Sequence, residues 1–437
     1  MFEALRASGA VAEVRRACAA VAGLSEGRDD AERIDLIREL ETLKCAAEAA
    51  QASLTAAFDR SQRQAEEAAG VPPERRGRAV AAQVALARRE SPHRGRQHVG
   101  LAVVLDELPC TRAAFRAGRI TEWRATLVAR ETACLSRGDR AEVDRRIAGD
   151  QDALEAMGDG ELVGRAREVA YQLDPVSFVE RRRRAEAERR VTLRPAPDVM
   201  SQLSALLPVK DGVAVWAVLA RAADSAKAAG DQRSRDQVMA DTLVASVLGG
   251  AADAAGTAPT LAINVVVPDS VLLGDDDGFG WVEGYGPVPG DLLREWIAAN
   301  AEQGLEQSVR RLYVAPATGE LVAMDQKSRC FEGRLADYLR LRDRGCRTTW
   351  CDAPVRHLDH VEDHADGGPT SAANGQGLCE HCNYAKQARG WSARPRPGPG
   401  HTVETVTPTG HRYLSTAPGL TVAERGLAIR LGYVLTA

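Results

Sequence analysis

The chain has 437 residues, 57 Lys plus Arg against 61 Asp plus Glu, a net charge of −4, and 44 % hydrophobic positions with only 4 % aromatics. A chain of this length suggests two or three domains whose cores need no disulfide staples, and its composition argues against full-length disorder. The near-neutral balance argues against a polybasic binder of nucleic acid or membrane, so any such role must come from local patches.

Alanine and arginine are abundant, which leans the chain toward helix. Residues 29–69 read as one long helix. Asp29 or Asp30 caps it, Ile34, Ile37, Leu40, Leu43 and Ala47 recur at three- and four-residue steps, and Gly70 with Pro72 and Pro73 ends it. Further helices are expected at 75–92 and 96–107, where Leu108-Pro109 breaks the run, and at 112–117, 121–135, 139–148 and 160–172. Residues 1–190 are therefore read as a mainly α N-terminal domain. Arg181–Arg184, interleaved with Glu180, Glu186 and Glu188, reads as a solvated helix face.

From Val191 the pattern changes. Short strands are expected at 190–194 and 199–206, helices at 211–229 and 234–248, and a buried strand at 260–267. A helix at 290–299 and a hairpin of Leu312–Val314 with Glu320–Met324 complete an α+β continuation over 191–330. Asp275–Asp277 reads as an exposed acidic loop. Residues 334–344 form a last helix. A Pro/Gly stretch at 395–400 then leads to strands near 402–407 and 411–415, within a C-terminal segment, 393–437, whose tail the pattern does not assign.

The most apolar stretches, 213–220 and 261–268, are too short to cross a bilayer. Glu3, Arg6, Glu13, Arg15 and Arg16 interrupt any secretory h-region. A cytoplasmic protein with no membrane partner is the expectation. No Walker A, His-Glu-x-x-His, nucleophile-elbow or dinucleotide fingerprint is present.

Of the nine cysteines, Cys18, Cys45, Cys110, Cys134 and Cys330 are scattered and expected as small buried hydrophobes. The other four, Cys346, Cys351, Cys379 and Cys382, fall within 37 residues, together with four of the eight histidines. Cys346-x4-Cys351 and Cys379-x2-Cys382 are two close pairs with 27 residues between them. They offer Zn²⁺ its four tetrahedral ligands, and in a reducing compartment this pattern means metal more often than disulfide. Between the pairs, residues 355–361 alternate as a strand does, which puts His357 and Asp359 on one face and His360 on the other. A polar, Gly-rich loop follows from Glu362 to Thr370, then Asn374. A helix beginning near Glu380 carries Asn383 and Lys386, with His381 expected to be exposed.

The run Cys-x4-Cys, Asp359-His360, Gly367-Gly368, Asn374, Leu378-Cys379-x2-Cys382-Asn383-x2-Lys386 resembles the HNH endonuclease motif, a zinc-braced ββα-metal (His-Me finger) site. The helical N-terminal half, the segment Gly284–Pro289, the approach Asp343-Arg344-x-Cys346 and residues 407–413 are similar to bacterial HNH proteins with an N-terminal domain of unknown function. The resemblance implies an HNH nuclease domain over 331–392, acting on DNA with structural Zn²⁺ and a catalytic Mg²⁺ or Mn²⁺. It gives Asp359 and Asn383 the role of oxygen ligands to that catalytic metal, to which their chemistry is suited. It makes His360 the general base, for which an ordinary pKa near ~6.5 is apt. Asn374 would fix the catalytic loop by hydrogen bonds, Lys386 would contact a phosphate, and His364 would orient the loop or substrate.

Three positions depart from the pattern: Asn383 in place of His, His357 where many relatives carry an acid, and Gln387 where many have a second histidine. Two readings stay open, a metal-dependent endonuclease leaving 5′-phosphate and 3′-hydroxyl ends, and a zinc-stabilised DNA-binding protein with a degenerate site. A double-strand cut by one such site per chain is easiest for a homodimer. Of the basic runs, Arg75–Arg96 is the better candidate for contacting a nucleic-acid backbone.

Overall fold

The computed structural model describes residues 9–249, 261–273, 277–282, 285–302, 307–312, 331–397, 400–418 and 426–433. The chain divides into two compact units, one of Met1–Arg60 with Val99–Phe178, the other of Ser61–His98 with Val179–Ala437.

The first unit is helical. Helix α1 spans Gly9–Ala22 and α2 spans Asp30–Ala68, the latter running on into the second unit. Asp29 caps α2 as expected, its carboxylate accepting from Glu32 N at 2.9 Å. The packed stripe of α2 differs from the one that signalled it. Cys45, Ala49, Ala52 and Ala56 are buried, whereas Ile34, Ile37, Leu40 and Leu43 are exposed. Small side chains let neighbouring backbones approach closely, whereas Ile34, Ile37, Leu40 and Leu43 lie in the N-terminal part of the helix, before its first buried residue, Cys45. Cys18 on α1 is likewise exposed, a correction to its expected burial, because no residue of α1 is buried.

Helix α3 (Val80–Arg88), which belongs to the second unit, and α4 (Pro92–Val104), which starts in the second unit and ends in the first, replace the expected 75–92 and 96–107. Arg89 in the left-handed region, at φ 59°, ends α3. Pro92 then opens α4 rather than closing its predecessor, since a missing N–H costs nothing in a first turn. Helices α5 (Pro109–Arg116), α6 (Glu122–Glu131), α7 (Arg137–Ala148), α8 (Gln151–Ala156) and α9 (Asp159–Leu173) complete the first unit's core. Phe115, Leu108, Ile120, Leu154 and Leu162 are its largest fully buried members. Buried Asp144 accepts from Cys110 N at 2.6 Å and Thr111 N at 2.9 Å, satisfying the open first turn of α5. Helix α10 (Pro175–Ala187) presents Arg182 and Arg184 to solvent, ion-paired along the helix to Glu186 and Glu180.

In the second unit, β1 (Arg190–Ala196) and β2 (Met200–Leu206) form an antiparallel ribbon with Arg190 opposite Leu206. A helical hairpin follows, α11 (Val209–Ala228) and α12 (Arg235–Gly249). A five-stranded antiparallel sheet contains β3 (Leu261–Pro268), β4 (Phe279–Val282), β5 (Gly286–Pro289) and β6 (Gln307–Leu312). Its order is β5-β4-β3-β12-β6, where β12 (Gly426–Tyr433) is the last strand of the chain. The unassigned tail is thus an interior strand, with Ile429 opposite Val265 on one side and Val309 on the other. Helices α13 (Asp269–Leu273) and α14 (Gly290–Glu302) supply Val271 and Leu293 to a core shared with Val265, Val267, Val282 and Val288. Of the expected hairpin after β6, Leu312 closes β6 and the rest lies outside the described residues, as does Cys330. The expected acidic loop is described only at Asp277, which is exposed.

The small C-terminal domain is built from α15 (Gly333–Asp343), strands β7 (His357–His360) and β8 (Gly375–Leu378), and α16 (Glu380–Lys386). A three-stranded sheet follows in the order β11-β10-β9, made of β9 (Ser392–Arg396), β10 (Thr402–Val406) and β11 (Arg412–Thr416). Strand β9 lies at the start of the Pro/Gly stretch, where an edge position tolerates Pro395. Buried Asp343, at the end of α15, accepts from Arg342 Nε at 2.7 Å and Gly377 N at 2.7 Å. One carboxylate thereby joins α15 to β8. Arg344, one residue on, lays its guanidinium 4.6 Å from the centre of the Trp281 ring.

Candidate active site

Cys346 and Cys351 come from the loop before the β7–β8 hairpin, and Cys379 and Cys382 from the N-cap and first turn of α16 after it. Cys346, Cys351, Cys379 and Cys382 are all buried, and their sulfur atoms lie within 4.8 Å of one another. Cys379 also caps α16, accepting from Cys382 N at 3.4 Å. Thiol hydrogen bonds from Cys346, Cys351 and Cys382 pull the Cys379 sulfur strongly toward thiolate. Four buried sulfurs at this spacing suit tetrahedral Zn²⁺, and among the described residues Ala353 and Leu378 add apolar contacts around them.

Beside this cluster β7 and β8 pair with Asp359 opposite Gln376 and His360 opposite Gly375. The strand alternation puts His357 and Asp359 toward α16. His357 has its ring 6.2 Å from that of Tyr384, and Asp359 Oδ2 accepts from Lys386 Nζ at 2.9 Å. His360 faces the other way and is 9 % exposed. Its Nε2 lies 2.9 Å from Thr370 Oγ1, its ring is 4.6 Å from that of Phe331, and the ring of His364 meets it edge-on at 5.3 Å. With Nε2 used on Thr370, Nδ1 has no hydrogen-bond partner among the described residues. Burial lowers the His360 pKa, against the opposing pull of the neighbouring Asp359 carboxylate.

Asn374 closes the loop between the strands. Its Oδ1 accepts from Glu362 N at 2.9 Å, while Nδ2 donates to Glu362 O and Pro369 O, both at 3.0 Å. One buried amide therefore holds both ends of the 362–369 loop. Gly368 has no room for a side chain, because a Cβ would press on Glu362 O and Asn374 Nδ2. Gly367 takes φ 93°, which an L side chain rarely adopts.

Lys386 differs most from expectation. The sequence suggests a phosphate contact, but its ammonium points inward, to Asp359 Oδ2 at 2.9 Å, His360 O at 2.5 Å and Asp363 Oδ1 at 2.6 Å. An ammonium has three donors, and all three are engaged. His381 is half-buried rather than exposed, and its Nε2 is sealed off without a partner. His364 lies at the loop surface.

Asn383, one turn before Lys386 on α16, is buried with its Oδ1 unpartnered. A buried amide oxygen without a donor is costly unless something positive meets it. An amide oxygen and the carboxylate of Asp359 are hard donors of the kind that Mg²⁺ and Mn²⁺ prefer. Thr370, Asp363 and Phe331 complete the site and were not legible in sequence. Loop and helix-approach residues carry no periodicity that ties them to His360.

Residues 35–343 match the family model "Domain of unknown function (DUF222)", and residues 346–389 match "HNH endonuclease". No curated protein and no solved structure matches the chain. Among the described residues no helix is long and apolar enough to cross a membrane. With a helical N-terminal region, an α+β continuation and a cysteine-braced hairpin-and-helix domain at its end, the chain belongs to the DUF222 family and carries a C-terminal HNH endonuclease domain.

Proposed function

We propose that the protein is a metal-dependent DNA endonuclease that hydrolyses phosphodiester bonds at the end of β7, where Asp359 and His360 stand. The observation that carries this reading is the buried, unpartnered Asn383 Oδ1 on the helix that packs against the Asp359–His360 strand. A structural zinc module alone has no use for such an oxygen. Cys346, Cys351, Cys379 and Cys382 would hold Zn²⁺ as a fold element, and Asp359 and Asn383 would hold Mg²⁺ or Mn²⁺. When bound, the divalent ion supplies Lewis-acid stabilisation of charge on the scissile phosphate and the leaving 3′ oxygen.

The remaining work belongs to the chain. With its proton on Nε2, in the hydrogen bond to Thr370 Oγ1, His360 would present Nδ1 as the atom that takes the proton of the attacking water. Phe331 and His364 fix the imidazole plane from two sides. Asn374 holds the loop in register with the hairpin, and Lys386 positions the Asp359 carboxylate and ties the loop to α16 through Asp363. His364, at the loop surface beside His360, is placed to meet substrate.

The second reading is a zinc-stabilised DNA-binding protein without turnover. The observation on its side is the Lys386 ammonium already bound to Asp359 Oδ2. Incubating supercoiled plasmid with the protein and Mg²⁺ or Mn²⁺, beside His360→Ala, separates the two. Cleavage by the wild type and a loss of roughly 10²–10⁴-fold in the variant, with zinc content and DNA binding kept, is the expected result. Equal cleavage by both proteins removes His360 from the role of base. No cleavage by either, with DNA bound, favours the binding protein.

A further inference from the structure

The DUF222 region lends a short segment to the flank of the HNH module. Thr409, in the turn between β10 and β11, donates its hydroxyl to Gln83 Oε1 at 3.2 Å. Gln83 lies in α3, where Val80 through Leu86 are buried without a break. The preceding turn residue, Pro408, lies against Gly390, where a Cβ would come within 3.1 Å of its ring. Arg389 of the HNH domain is the next residue back. On α4, the Arg96 guanidinium is near enough to His381 of α16 for their charges to interact. Residues 83–96 thus border the nuclease module within one compact unit.

The outward side of this segment is basic. Helix α4 buries Pro92, Gly95 and His98 and exposes His93, Arg94, Arg96 and Gln97. Residues 88–98 hold four arginines against one glutamate, a net charge of +3. That glutamate, Glu90, is taken by His98 at 2.6 Å and approached by Arg94 at 3.7 Å. The guanidinium groups of Arg89, Arg96 and Arg389 are exposed and have no ion pair or hydrogen bond among the described residues. The arginines of α2 behave otherwise, with Arg33, Arg38 and Arg60 paired to Asp30, Asp35 and Asp106. Free guanidinium groups beside a phosphodiester-cleaving site are suited to phosphate oxygens, which they bind with charge-assisted hydrogen bonds.

We propose that the α3–α4 segment of the DUF222 region extends the DNA-binding surface of the HNH module, with Arg89 and Arg96 contacting backbone phosphates alongside Arg389. The assignment rests on the nuclease reading and gives this part of the DUF222 region a partner, the duplex backbone, in a sequence-independent contact.

The test uses the full zinc-loaded chain carrying His360→Ala, so that DNA is bound but not cut. Affinity for a labelled duplex is measured across a salt series for this parent and for Arg89→Gln/Arg96→Gln in the same background. Each lost phosphate contact reduces the slope of log affinity against log salt by about 0.9, so the double variant should be shallower by about 1.8. Binding near physiological salt should weaken roughly tenfold, equally for unrelated sequences. Arg89→Lys/Arg96→Lys keeps both charges and should keep the slope, with zinc content and helix signal equal in all three. An unchanged slope in the glutamine variant, with DNA still bound, overturns the proposal. Failure of the parent to bind any duplex overturns the DNA-cleaving reading, and this inference with it; the plasmid assay reports on that reading separately.

Discussion

Asn374 shows how one buried amide sets the shape of a loop. It makes three hydrogen bonds across the 362–369 loop, and the backbone groups it holds have no other protein partner in the loop. Asn374→Ala should destabilise the zinc-loaded protein by about 1–3 kcal/mol in chemical denaturation, the cost of leaving such groups unmet. Cleavage should fall further than DNA affinity, because His360 and Asp359 stand at the loop's first end. A second residue-scale expectation concerns His401, buried where its Nε2 meets Ala373 O at 2.9 Å. Burial first, then the nearby Arg342 charge, push its pKa from 6.5 down to about 4. The folded value lies below the unfolded one, so the unfolded chain gains a proton that the folded chain refuses. Stability is then complete above about pH 6.5 and declines as pH falls toward 4, by about 2–3 kcal/mol. Melting His401→Gln beside the wild type over that window isolates this share, and parallel curves would remove His401 from the account.

Among the elements, the β7–β8 hairpin and α16 are too short to hold together by burial. Their cysteine cluster takes the place of a core, and the carboxylate of Asp343 adds a polar tie to α15. Zinc binding in such modules contributes about 10–16 kcal/mol of apparent energy to folding. Removing zinc with a strong chelator should therefore unfold this domain. The fluorescence of Trp350, whose ring stands edge-on to Tyr413 at 5.9 Å, should shift while most of the helical signal remains. Unchanged fluorescence in the metal-stripped protein would show that the brace is dispensable. At the same scale, α2 shows why a hydrophobic pattern identifies a helix better than it identifies the packed face. Any three- or four-residue step marks the helix, whereas its neighbours decided that the Ala49, Ala52 and Ala56 stripe is the one that closes up.

Over the whole molecule, the chain leaves the DUF222 region, builds the HNH domain and the three-stranded sheet, and returns. Strand β12 inserts between β3 and β6, so residues matched to neither family model complete the DUF222 sheet. Ending the chain after Pro418 should leave β3 with an open edge and β6 without its strand partner. The expected cost is roughly 5 kcal/mol or more, comparable with the whole stability margin of an ordinary domain. Loss of soluble protein or of a cooperative melting transition is the readout. A truncated protein that melts like the full chain would show that β12 is not needed.

The sequence by itself determined the helical N-terminal half, the α+β change at Val191, the four-cysteine cluster and the Asp359-His360 pair. Each depends on spacing along the chain: a period for helices, a Cys-x-x-Cys interval for metal, adjacent residues for alternate faces of a strand. Only the tertiary structure decided that Lys386 turns inward to Asp359 and Asp363, that Thr370 takes His360 Nε2, and that the last strand lies inside the DUF222 sheet. Those are encounters between residues 10 to more than 100 positions apart. No local period encodes them, because they are set by which surfaces remain unsatisfied once the elements have formed.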